Sequence, residues 1–132
     1  MDKQEAYDGI VTWFSQPGAE LGFTPEEFGG ASCVYRGNGD RASKRRCAVG
    51  CLMPDEKYRT TFEGSSVSAT EITEALGLGG PEHEETRTFL SSAQSAHDEM
   101  AAAVVNGDIS GDGVEEFLAK LKIHAKDFGV RV

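Results

Sequence analysis

No stretch of this 132-residue chain approaches the ~18 consecutive apolar residues that a membrane-spanning helix requires, so no membrane role is expected. Positive charge is scarce: 13 Lys and Arg stand against 22 Asp and Glu, for a net charge of −9. That deficit argues against duplex DNA as a main partner, because phosphate contacts dominate such affinity. There are only 3 cysteines, an odd number that suits a reducing compartment better than a secreted disulfide framework. The first residues, MDKQEAYDGIVTWF, carry acids where a signal peptide carries basic groups, and they lack a small-residue cleavage site. The expected location is the cytoplasm. At 39% hydrophobic and 27% charged, the composition is that of an ordinary folded protein, and the length fits one domain, residues 1–132.

What the chain does have is concentrated in one stretch, Cys33 to Tyr58. It holds all three cysteines, and five basic residues (Arg36, Arg41, Lys44, Arg45 and Arg46) cluster in it. Residues 31–60 carry +4, flanked by −5 over residues 1–30 and −8 over residues 61–132. The stretch is a basic island on an acidic body. Ser32–Arg36 reads as a strand, Gly37-Asn38-Gly39-Asp40 as a turn, and Arg45–Val49 as a returning strand. Together they predict an antiparallel hairpin over about 32–50 with a long basic tip.

Helical signals surround it. Ala6, Ile10, Trp13 and Phe14 share one helical face, Asp2 is placed to cap that helix, and Pro17 ends it. Thr24-Pro25-Glu26-Glu27 has the form of a short helix start. Pro54–Tyr58 reads as a single turn. Ser68 and Glu71 form a capping box before Ile72 and Leu76, and Gly77 supplies a stop. The longest helix spans about 81–105, with Phe89, Leu90, Ala93, His97, Met100, Ala101 and Val104 on one stripe. A last helix over about 113–128, capped by Asp112 and Glu115, carries Val114, Phe117, Leu118, Leu121 and Ala125 inward. The fold class expected is α+β: a mostly helical single domain with four or five helices packed on a small antiparallel hairpin, the C-terminal helices running about 68–128.

The chemistry-bearing residues support few sites. Cys33, Cys47 and Cys51 with His97 would make a four-ligand zinc set, but structural zinc sites usually present Cys-x2-Cys pairs, which this chain lacks. The simpler reading is small buried hydrophobes holding the hairpin to the helices. A Cys33–Cys47 bridge is a third reading, which reducing conditions disfavour. Asp108 to Gly113 imitates the start of a calcium-binding EF-hand loop, yet its twelfth position is Ala119 where a bidentate carboxylate is needed. Leu76–Gly80 follows a helix and lacks the lysine of a phosphate cradle. His97 and Asp98 are adjacent on a helix, so they are not expected to orient each other. Cys51 with His97 would be a thiol–imidazole pair, but an orienting third group and an oxyanion site are not legible. No cofactor and no catalysis are expected. Arg36, Arg41, Lys44, Arg45 and Arg46 are the candidate anion-binding residues, because guanidinium groups offer forked donors to phosphate or carboxylate; their alternative is a solvated hairpin tip that blocks edge pairing. A pairing of Arg36 with Asp98 or Glu63 would fasten the hairpin to the helices.

The run Cys33-Val-Tyr-Arg, a glycine-containing turn, then Cys47-Ala-Val-Gly-Cys-Leu-Met-Pro-Asp-Glu-Lys-Tyr58 and Glu63-Gly64 resembles a group of small bacteriophage and bacterial proteins. These share a C-x-Y-R…C-A-V-G-x-L-x-P-D…Y…E-G signature and have no assigned activity. The likeness continues through Leu90, Gln94-Ser-Ala-His97-Asp98 and the closing helix with His124-Ala125 and Phe128-Gly129. This chain departs from the pattern in its longer, more basic turn, Asp40 to Arg46. The resemblance implies a phage-type accessory protein in the bacterial host cytoplasm, and it carries no catalytic residue across. Three functions follow as expectations: binding of a host or phage protein, or of a second copy of the chain, through the acidic surface or the basic loop; binding of a small anion or nucleotide by the basic loop; and zinc or thiol chemistry at the cysteines.

Overall fold

The computed structural model describes residues 1–27, 30–36 and 44–132. Helix α1, Lys3–Phe14, begins where Asp2 accepts the Glu5 amide at 2.8 Å, satisfying one of the donors a helix start leaves unpaired. It buries Ala6, Tyr7, Ile10 and Phe14. Helix α2 is short, Thr70–Ala75; α3 runs Glu84–Val105 and α4 Val114–Asp127. α3 packs against both α1 and α4. The core between them is aromatic at its centre, with the Phe14 and Phe117 rings edge-on at 5.0 Å. Among the described residues, no helix is long and apolar enough to cross a membrane.

The protein is α+β, as the sequence implies, with four α-helices and a small antiparallel strand pair among the described residues. The strands of that pair are not the expected ones. Phe23–Pro25 (β2) pairs with Ala31–Cys33 (β3), in the register Phe23 opposite Cys33 and Thr24 opposite Ser32. Glu20–Leu21 (β1) pairs in parallel with Arg45–Arg46 (β4). Thus Ser32–Arg36 and Arg45–Val49 do not pair with each other as a hairpin; both lean on the run 20–25, and they meet directly at one bond, from the Cys47 amide to the Val34 carbonyl at 3.0 Å. Gly22 lies at the centre: its carbonyl accepts from Val34 at 3.0 Å and its amide donates to Arg46 at 2.9 Å. A Cβ at Gly22 would stand 2.6 Å from the Arg46 carbonyl carbon, so no other residue fits. Thr24-Pro25 accordingly forms strand where a helix start was expected. Proline carries no N–H, and its place at the end of a two-stranded ribbon costs no ladder bond. The expected tip of the hairpin falls largely on residues 37–43, outside the described residues.

Helix ends follow local chemistry with three departures from the expected ends. Ser68 does not cap α2: the N-cap is Ala69, and the Ser68 hydroxyl meets Ser66 instead at 2.9 Å. α4 starts from Gly113 with left-handed backbone, φ 81°, while Asp112 accepts the Val114 amide at 3.0 Å. α3 begins three residues later than expected, after a 3-10 turn at Pro81–His83.

Candidate functional site

The central stretch folds into a polar knot beneath the thiols. Glu63 is its hub. One carboxylate oxygen accepts the Tyr35 amide at 3.0 Å; the other accepts the Arg36 amide at 3.2 Å and the Tyr58 hydroxyl at 2.6 Å. Tyr35 is fully buried and donates its hydroxyl to the Ser65 carbonyl at 2.8 Å. Arg36 is also fully buried. Its guanidinium is held by Asp55 and the Met53 carbonyl and lies 5.3 Å from the centre of the Tyr58 ring. Arg36 does fasten the stretch, but its carboxylate is Asp55 and not Asp98; Glu63 takes only its backbone amide. A guanidinium enclosed in this way is not presented to an external anion.

Asp98 is engaged elsewhere. The His97 Nδ1–H donates to Asp98 at 2.9 Å and the Gln94 side-chain amide donates to the same oxygen at 2.8 Å. Gln94 in turn accepts the Val49 amide at 3.2 Å, joining α3 to the residues after β4. Adjacent residues on α3 do therefore orient each other, contrary to expectation: the Asp98 carboxylate, short and half-buried, reaches back across its neighbour. His97 is fully buried, edge-on to Phe117 at 5.7 Å, and its Nε2 has no hydrogen-bond partner.

The three cysteines are free thiols. Interaction with the Cys47 thiol and burial raise the Cys33 thiol far above its ordinary value. Cys51 donates to the Ala48 carbonyl at 3.1 Å, and burial raises its thiol well above the ordinary range. Neither is a ready thiolate at neutral pH. The imidazole suggested for Cys51 has its own partner in Asp98. Among the described residues, no three His, Cys, Asp or Glu side chains are placed to hold a metal ion, and the set Cys33, Cys47, Cys51 and His97 does not form one.

The remaining basic candidates lie on or beside β4. Lys44 donates to the Gln16 side chain at 2.6 Å. Arg45 donates to the Phe23 carbonyl at 2.6 Å and stands 3.8 Å from Glu20. Arg46 lies 5.5 Å from the centre of the Trp13 ring, and burial lowers its pKa. Arg41 lies outside the described residues. The structure thus brings Lys44, Arg45 and Arg46 together but engages each within the fold, and sends Arg36 into the interior.

Gln94 and Asp55 are residues that sequence reasoning left without a role, and Glu63 entered it only as a possible side-chain partner of Arg36. Asp55 lies in the central stretch, Glu63 just beyond it and Gln94 three residues before His97, and nothing local in the sequence says which donor each would meet. A separate cavity of about 220 Å³ between α2 and the start of α3 is floored by Leu76, Leu78 and Leu90, with Glu84 and Arg87 at its rim. It is below the ~300 Å³ at which ligand pockets usually begin. Comparison with known proteins gives no match: no protein-family model, curated protein or solved structure corresponds to this chain.

Proposed function

We propose that the protein is a phage-type accessory protein that acts by binding a host or phage protein in the bacterial cytoplasm, without catalysis of its own. The observation that carries this reading is the division of charge. Arg36 is buried, and the more exposed Lys44, Arg45 and Arg46 are each engaged by a neighbouring group of the fold, whereas Glu5, Asp8, Glu84, Glu85, Asp108, Asp112, Glu115 and Asp127 of the helical body are exposed. The chemistry offered outward is anionic, which favours a partner with a basic surface and steers its approach at long range. The protonated thiols, and an imidazole and guanidinium held in the interior, support the absence of a reaction centre. The engaged arginines weigh against the anion-binding reading.

The test is affinity capture from bacterial lysate, followed by mass spectrometry, in parallel at low and high salt. A stoichiometric basic partner retained at low salt and released at high salt is the expected result, since exposed charge is screened within about 10 Å at 0.1 M salt. Recovery of no protein beyond that on a charge-matched acidic control would overturn the reading.

A further inference from the structure

The cavity between α2 and the start of α3 has an apolar floor and a charged mouth. Leu78 is fully enclosed, Leu76 and Leu90 nearly so, and Val67 also lines it. The threonine hydroxyls of its wall are already satisfied: Thr73 donates to the Thr70 carbonyl at 3.0 Å and Thr88 to the Glu84 carbonyl at 2.9 Å. Water inside finds few partners, and an apolar group that displaces such water gains affinity. At the mouth, Glu84 and Arg87 stand three apart on α3, a spacing at which opposite charges ordinarily pair. They do not pair here; the Arg87 Nη1 turns back instead to the Leu78 carbonyl at 2.7 Å and to the Gly80 carbonyl. Among the described residues, the Glu84 carboxylate and the Arg87 Nε and Nη2 groups have no partner.

We propose that this cavity binds a free apolar α-amino acid, with its side chain on the leucines, its ammonium group at Glu84 and its carboxylate at Arg87. The size fits one side chain. A volume of about 220 Å³ is too small for a drug-sized ligand, yet an apolar cavity of roughly 150 Å³ already holds benzene. The charges select the rest of the ligand. An amine alone leaves Arg87 unmatched, and a carboxylic acid alone leaves Glu84 unmatched. A residue inside a protein chain carries neither charge, because its α-groups are amides. A zwitterion answers both, and the remaining guanidinium donors offer the forked geometry that a carboxylate takes.

The experiment titrates the full folded chain with L-leucine and follows both Tm and the methyl NMR signals of Val67, Leu76, Leu78 and Leu90. For a Kd of about 1 mM, about 10 mM L-leucine should raise Tm by about 3–8 °C, saturably, and shift those methyl signals. Glycine, which lacks the side chain, should do neither. Isopentylamine and isocaproate each keep the side chain and one charge, and should bind about three- to tenfold more weakly than L-leucine. N-acetyl-leucinamide, with neither charge, should bind more weakly still. Glu84→Gln changes an exposed, unpaired side chain, so the variant should fold as the parent does. It should lose affinity for L-leucine about three- to tenfold and keep its affinity for isocaproate. No saturable binding of L-leucine, equal binding of the amine or the acid, methyl shifts confined to other residues, or undiminished affinity in Glu84→Gln would each overturn the proposal. Equal binding of N-acetyl-leucinamide would overturn it too, and would mark the cavity as a seat for a side chain of a protein partner.

Discussion

Glu63 shows how one residue organises the central stretch. A carboxylate has room for about four donors and here takes three, two of them backbone amides with no partner in a helix or sheet ladder. Removing one donor and removing the acceptor are therefore different experiments. Tyr58→Phe deletes a single bond to a group that keeps two others, and should cost about 1 kcal/mol. Glu63→Gln places an NH2 group against donors and strands at least one amide, and should cost about 1–3 kcal/mol. Urea denaturation of the two variants measures the order, and a Tyr58→Phe cost as large as that of Glu63→Gln would contradict the hub. None of this was legible in the sequence, where Glu63 is one of 22 acids and nothing local says which of them turns inward. The same limit explains Arg36 and Asp98: the sequence showed a basic residue that wanted a carboxylate, but several were in reach, and only the packed chain selects Asp55.

At the scale of elements, legibility followed the range of the forces. α1 was readable because its apolar spacing and its Asp2 cap are written within one turn of each other. The two-to-three-residue strands were not, because such short segments have no stable preference until a neighbour satisfies their backbone. Gly22 and Gly50 are where that neighbour comes close. A Cβ on Gly50 would stand 2.8 Å from the Tyr35 Cα, against backbone that cannot swing aside. Gly50 is thus a point of close approach to the Tyr35 backbone. Gly50→Ala should cost about 1–3 kcal/mol or prevent folding outright. Gly79 is the control: its backbone has no left-handed φ, and an added Cβ meets only the Glu74 side chain at 3.8 Å. Gly79→Ala should be neutral or raise stability by about 0.4–1 kcal/mol through the unfolded chain. Equal effects of the two on the urea midpoint would show that the close approach at Gly50 is not what constrains the fold.

For the whole molecule, the buried phenols and thiols set how stability responds to pH. Burial raises Tyr35; burial and the Glu63 hydrogen bond raise Tyr58; interaction with the Cys47 thiol and burial raise Cys33; burial raises Cys51. In each case the folded protein holds its proton more tightly than the unfolded chain, whose groups release theirs near the ordinary values of 9.0 for thiols and 10.0 for phenols. Below about pH 9 both states are protonated, and these groups contribute their full stabilisation. Above it the unfolded chain binds fewer protons than the native one, so the free energy of unfolding falls as pH rises through the thiol and then the phenol range. The expected profile is flat from these groups between pH 7 and 8 and declines progressively from about pH 9, measured as the urea midpoint at constant ionic strength. Cys51→Ala should shallow the first part of the decline, because it removes a thiol that titrates only in the unfolded chain, while Tyr58→Phe should shallow the part above pH 10. A midpoint unchanged up to pH 10.5 would mean that these groups titrate alike in both states and that the interior around Glu63 is open to water.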